Sequence, residues 1–474
     1  MRKEKDALGE LLISDDAYYG IQTERARKNM VSGHTISEHP TFIRSLAAIK
    51  KAAAFANLEI GALPKEEAMA IAKAADEVMN GEMASQFPLD VLQGGGGTST
   101  NMNMNEVIAN RANELLIGRK GYDRIHPNSH VNLGQSTNDV IPAAMKLTCF
   151  FELETIVSGL KALETSVKQK AEEFSDVVKI ARTCLQDALP ITLGQEFLGY
   201  LGLIQRHIAK TERVSKHCLA IPLGATAVGT GLGTFPGYCD AVIRHLSEIL
   251  GLKLEQEDNL FDALQNADLY IDVSGVLKSL ATGLSKIATD LRIMSSGPQA
   301  GLAEIFLPPV QPGSSIMPGK VNPVIPELVN QVCYQVCGND FAITMAVEGG
   351  ELDLNVWEPV IIKCLHESCT LLVKCMPLLA ESCIDGIVPN RDRCNQYAES
   401  SLAASTVLAS ALGYEIGSKI TVFAAKHGMT LKDAAVELGH LTVDEADKHL
   451  NNTTLTDPDR SAFAVRELAN KSRV

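Results

Sequence analysis

The segment Gly313-Ser314-Ser315-Ile316-Met317-Pro318-Gly319-Lys320-Val321-Asn322-Pro323 places two hydroxyls and one cation between glycines and ahead of a helical run. Asn322 followed by Pro323, with Glu327 in the first turn, predicts an N-cap and N1 arrangement, so the segment ends on the positive pole of a long helix. Lys320 adds a full charge just before that pole, and the serines offer donors on a backbone that Gly313 and Gly319 free to bend. This combination suits a carboxylate. From spacing alone, an ordinary surface turn capping a helix fits equally well.

Compact neutral donors recur elsewhere. Thr98-Ser99 follows four glycines, Ser136-Thr137-Asn138 lies in a turn-rich stretch, and Thr183 stands alone. Clustered, they could hold a second carboxylate without a positive charge, although each taken singly is more often a loop or cap residue. His126 and His130, in HPNSHVN, have no HExxH pattern and no acidic partner at metal-ligand spacing, so structural roles are expected. The 11 cysteines include no CxxC pair and read as reduced thiols, with Cys333 and Cys337 as small buried hydrophobes.

Long helices must position these residues. From Val273 through Val276, Leu280, Leu284, Ile287, Leu291 and Met294 the apolar residues recur at steps of three or four, one stripe of a helix that stops at Ser295-Ser296-Gly297-Pro298. Similar periodicity runs from Ala143 to Phe174, Leu193 to Leu219, Pro323 to Val347 and Leu354 to Leu379. Five long helices without strands between them predict a bundle, and stripes this apolar predict an oligomer. The loops between helices are dense in glycine and small polar residues: Gly94 to Asn105, Pro127 to Asp139, Gly224 to Gly233 and Gly313 to Pro323. We expect a mixed, mostly helical domain over residues 1–140, the bundle over 141–395 and a small helical cap over 396–474.

Composition narrows the function classes. The 474 residues exceed the roughly 250 to 300 at which single cores stop growing, and 46% hydrophobic residues suffice for a large core. A formal charge of −14, with no basic stripe interleaved with aromatics, argues against a nucleic-acid partner. MRKEKDALGE has no signal-peptide core and no apolar run of about 18 residues occurs, so a soluble cytoplasmic protein with no membrane partner is expected.

The string GSSIMPGKVNP resembles the signature loop of the aspartase/fumarase superfamily. DAYYGIQT, QGGGGTSTNMNMNEV, PNSHVNLGQSTND, GATAVGTG and ELDLNVWEPV resemble other family segments in the same order, so the likeness extends to about residue 390. Gly97-Thr98-Ser99, Asn322-Pro323-Val324-Ile325-Pro326-Glu327 and Trp357-Glu358-Pro359 are similar to the aspartase branch rather than the fumarase branch. The resemblance implies a three-domain, mainly α fold whose five-helix bundle assembles into a homotetramer, with each site drawn from three subunits. It implies elimination of ammonia from L-aspartate to give fumarate through an aci-carboxylate. Ser314 would be the general base and Ser315 would help bind the β-carboxylate. Lys320, Asn322 and Thr183 would hold the α-carboxylate. Thr98, Ser136 and Thr137 would surround the β-carboxylate, while Asn138, together with Thr98, would contact the amino group. No cofactor is called for, and activation by a divalent cation such as Mg2+ stays open.

Two departures qualify the substrate. Cys184 replaces the histidine or glutamine usual at this pocket position, and a neutral thiol does not relay protons as an imidazole does. Its small size keeps an ammonia-lyase for a bulkier amino acid as a rival, with fumarate hydratase third and a catalytically silent structural homologue as the non-enzymatic alternative. In the cap, Ala411-Leu412-Gly413-Tyr414 stands where the family carries an asparagine-proline segment.

Overall fold

The computed structural model describes residues 1–402 and 404–471. In chain order the helices that matter here are α1 (Pro40–Glu59), α2 (Lys65–Met79), α3 (Thr98–Ile117), α4 (Thr137–Glu173), α5 (Leu193–His217), α6 (Tyr238–Leu250), α7 (Asp268–Met294), α8 (Val324–Glu348) and α9 (Glu358–Glu381). The five expected long helices are α4, α5, α7, α8 and α9, and α4 alone runs 37 residues. On α7 the expected stripe is buried at Val273, Leu280, Leu284, Ile287, Leu291 and Met294, with Val276 half-buried.

The chain divides into two compact units. One comprises Met1–Ser158, His207–Thr282 and Val332–Lys374; the other comprises Gly159–Arg206, Gly283–Gln331 and the chain from Cys375 on. In the first unit α1 packs against α2 and α6, and α2 against α3. The inward face of α3 is polar, carrying buried Asn101, Asn103, Asn105, Glu106, Asn110 and Asn113. These side chains serve neighbouring segments that have no regular partner of their own. The Glu106 carboxylate accepts from the backbone N–H groups of Gly20, Gln22 and Thr23 and from the Thr23 hydroxyl at 2.7 to 3.1 Å. Asn113 donates to the carbonyls of Gly121 and Ile125 and accepts from the N–H groups of Arg124 and Ile125.

Contrary to the expectation of helices alone, strands do occur between the long helices. Four two-stranded sheets are present among the described residues. A hairpin of β1 (Arg2–Asp6) and β2 (Gly9–Ile13) opens the chain, and β3 (Val178–Thr183) pairs antiparallel with β4 (Gln186–Thr192) between α4 and α5. In β3 and β4 apolar residues are mixed with Lys179, Arg182 and Asp187, which weakens the alternation that would signal a strand. The structure shows why Lys179 and Arg182 are there. Glu304, fully buried, accepts from Arg182 at 2.7 Å and pairs with Lys179 at 3.2 Å, while Lys179 also pairs with Glu196 at 2.7 Å. This network fastens the hairpin within the second unit. Beyond Ser405 the same unit contains short helices around an apolar core that includes Leu408, Ile420, Ala424, Leu431 and Leu468.

Removing one member of a buried ionic group strands its partners, at a cost of about 3 kcal/mol or more. Glu304→Ala is therefore expected to lower the thermal unfolding midpoint clearly. Arg391→Ala, which breaks the exposed 2.9 Å pair with Asp176, should cost less than about 1 kcal/mol. Equal shifts in the two variants would refute the structural role assigned to the Glu304 network.

Candidate functional site

Three of the four glycine-rich loops converge in the first unit. Gly97 has φ +79°, and a Cβ there would lie 3.1 Å from the Ile141 side chain, so glycine lets the start of α3 approach the first turns of α4. Thr98, the first residue of α3, is exposed and donates its hydroxyl to Gly95 O at 2.8 Å. Asn101 Nδ2 donates to Thr137 Oγ1 at 3.3 Å, joining the two helix starts. Ser136 Oγ accepts from Asn138 N at 3.2 Å, and Asn138 Nδ2 donates to Ala227 O at 2.8 Å. Thr98, Ser136, Thr137 and Asn138 thus stand around two adjacent helix N-termini, where backbone N–H groups and helix dipoles favour an anion.

The fixing residue is Asp139, which sequence reasoning does not single out. Its fully buried carboxylate accepts from Ser136 N at 2.9 Å and from Gly224 N and Thr226 N at 3.1 Å each, drawing the Gly224 loop onto the start of α4. Burial pushes its pKa up to about 6, while the three N–H donors and nearby Lys50 pull the other way. The triplet Ser-Thr-Asn is followed directly by this aspartate, so an acid within the first turn is the available signal.

The second unit holds the rest. The loop from Gly313 to Asn322 is closed at its base by Gly313 N to Lys320 O and by Asn322 Nδ2 to Gly313 O, both 2.8 Å. A Cβ on Gly313 would lie 2.6 Å from Asn322 N, so only glycine permits that closure. The expected N-cap at Asn322, with Pro323 at N1, does not form. Instead α8 begins at Val324, Pro323 O accepts from Glu327 N at 3.1 Å, and the Asn322 amide serves the loop base. Within the loop, Ser314 Oγ accepts from the backbone N–H groups of Ile316 at 3.2 Å and Met317 at 2.9 Å. Two donors aimed at one oxygen favour negative charge on it. Ser315 and Lys320 are exposed.

Thr183 and Cys184 lie at the tip of the β3–β4 hairpin, where Thr183 pairs with Gln186. The intervening Cys184 and Leu185 have φ +53° and +59°, the left-handed geometry of a two-residue turn that usually takes asparagine or glycine. Both side chains are exposed. Among the described residues no hydrogen bond joins this tip to the Ser314 loop, so the chain offers its candidate residues as three groups.

His126 and His130 have local work. His126 Nδ1 accepts from Asn128 N at 3.2 Å, and His130 Nδ1 accepts from His126 N at 2.8 Å, shaping the turn Pro127–Val131. Among the described residues no group of three or more His, Cys, Asp or Glu could hold a metal ion, and no helix is long and apolar enough to cross a membrane. All 11 cysteines are free thiols; Cys333 is buried and Cys337 half-buried.

The chain is similar to known proteins over most of its length. The family described as Lyase matches residues 9–338, and that described as Fumarase C C-terminus matches residues 405–457. An aspartate ammonia-lyase of Bacillus sp is 46% identical over 460 residues, covering 97% of this chain and 98% of that protein. The fumarate lyase:delta crystallin from Brucella melitensis bound to cobalt superposes with a TM-score of 0.93 at 45% identity, covering 96% of this chain and 100% of that one. A recombinant class II fumarase from Schistosoma mansoni gives 0.92 at 35% identity, over 96% of this chain and 99% of that one. The chain belongs to the aspartase/fumarase superfamily of lyases.

Proposed function

We propose that this protein is an aspartate ammonia-lyase, which eliminates ammonia from L-aspartate to give fumarate. The observation that carries the mechanism is the pair of backbone N–H groups on Ser314 Oγ. A free serine is a poor base, and stabilised negative charge on its oxygen is what proton abstraction requires. Ser314 takes a proton from the β-carbon, and the charge spreads into the adjoining carboxylate. Thr98, Ser136, Thr137 and Ser315 donate to that dianionic aci-carboxylate as it forms. Lys320, Asn322 and Thr183 hold the α-carboxylate, and Asn138 with Thr98 receives the amino group, which leaves as ammonia when the double bond closes.

The elimination itself requires neither hydride transfer nor an electron sink, and activity with and without added Mg2+ in the presence of a chelator distinguishes metal-free elimination from cation activation. The three groups of donors come together in a homotetramer, each site combining segments from three subunits. An exposed stripe on α8, Tyr334, Phe341 and Met345, supports association. Free thiols fit a cytoplasmic setting. Cys184 favours one second reading, a bulkier amino-acid substrate, because its short side chain at the hairpin tip leaves space where a longer one usually stands.

Purified protein should release fumarate and ammonia in equal amounts from L-aspartate and form no fumarate from L-malate. Absence of product from aspartate, with turnover of 3-substituted aspartates, would transfer the assignment to the second reading. Ser314→Ala should lower kcat for aspartate by about a thousandfold, measured by fumarate absorbance, and unchanged kcat would remove Ser314 from the mechanism. Lys320→Ala should raise KM about tenfold or more, the loss of a charge-assisted hydrogen bond to carboxylate. A KM equal to that of the parent would place the α-carboxylate elsewhere.

A further inference from the structure

One buried charge in the first unit has no part in the mechanism above. Lys50, on α1, is fully buried, and its ammonium donates to three neutral oxygens: Asn101 Oδ1 at 2.7 Å, Gln135 Oε1 at 2.9 Å and Asn132 Oδ1 at 3.1 Å. No carboxylate lies within ion-pair distance of it among the described residues. An ammonium has three donors and no acceptor, so the three amide oxygens match it fully. Burial lowers its pKa to about 7, and the nearby Asp139 charge acts in the opposite direction. Withdrawing a lysine from water without a direct counter-ion is costly and calls for a reason.

The reason lies in what its acceptors hold. Asn101 is in the first turn of α3, which begins at Thr98, and its Nδ2 reaches both Asn132 Oδ1 at 3.2 Å and Thr137 Oγ1 at 3.3 Å. Asn132 Oδ1 also accepts from Asn105 Nδ2 at 3.1 Å, and Asn132 Nδ2 donates to Gln135 O at 3.0 Å. Gln135 Nε2 in turn donates to Val131 O at 3.0 Å, and Gln135 immediately precedes Ser136-Thr137-Asn138. The ammonium is therefore the common donor that orients the amides beneath both helix starts.

We infer that Lys50 is a positioning residue for carboxylate binding: through Asn101, Asn132 and Gln135 it sets the orientation of Thr98 and of Ser136, Thr137 and Asn138 toward the substrate. The inference rests on reading those four residues as substrate donors. A methionine at position 50 fills similar space but donates nothing, so the three amide oxygens lose their common partner and the donors above them drift. Proton abstraction by Ser314 is not in this network.

The test compares the full-length protein with Lys50→Met, Gln135→Leu and the surface control Lys73→Met, using calorimetric binding of succinate and the steady-state kinetics of L-aspartate. Lys50→Met should weaken succinate binding and raise KM about tenfold or more, with kcat lowered as well because the same donors stabilise the aci-carboxylate. Gln135→Leu, which removes one acceptor and leaves the lysine in place, should give a smaller loss in the same direction and carries the test if Lys50→Met does not fold. Lys73→Met should match the parent. Unaltered succinate affinity in the Lys50 and Gln135 variants, or a loss confined to kcat, overturns the inference, as does a parent protein that binds no succinate. A parent that binds succinate but does not convert aspartate sinks the proposed reaction alone, and the succinate comparison then still decides the role of Lys50.

Discussion

Irregular backbone inside a helical protein needs fixed acceptors for its N–H groups, and here buried carboxylates and amides on neighbouring helices provide them. Glu106 receives the segment from Gly20 to Thr23, Asn113 receives the turn around Arg124, and Asp139 receives the Gly224 loop. Each of these side chains has lost its water, so each is worth more to stability when fully bonded and costs more when it is not. The shape of the donor cluster follows from this constraint. Thr98 and Ser136 are where they are because the residues behind them cannot be left unpaired.

Much of the architecture is legible in the amino-acid order. The apolar steps along α7 are strong because the helix is long, and long periodic segments average out single exceptions such as half-buried Val276. The β3–β4 hairpin is hidden for the opposite reason. Lys179 and Arg182 are buried or half-buried against Glu304, so charge in the sequence marks the inside of the fold rather than its surface. The site is legible in its exposed donors and not in their supports. Lys50 lies in the alanine-rich run LAAIKKAAAFAN, where a lysine reads as helix surface unless its three amide partners, far away in sequence, are known. Asn322 reads as a helix cap because the closure of its loop onto Gly313 spans nine residues and leaves no periodic trace.

The division of chemistry between the units gives each a different character. The first unit presents neutral hydroxyls and amides above helix starts, held by many buried bonds, and so is suited to recognise a carboxylate in a fixed pose. The second presents a serine and a lysine on a loop closed at its base, with Ile316 and Met317 exposed between. For the base proposed above, which must reach a carbon and then release its proton, such a tether is an advantage.

The hairpin tip has a consequence for handling the protein as a physical object. Burial pushes the thiols of Cys218, Cys375, Cys383 and Cys394 up to about 12, and it raises those of Cys149 and Cys369 well above the usual thiol value too. Cys184 alone among the eleven is exposed, on a turn two residues long. The chain thus carries its own attachment point for a fluorophore or spin label, on a short turn where no engineered cysteine is required.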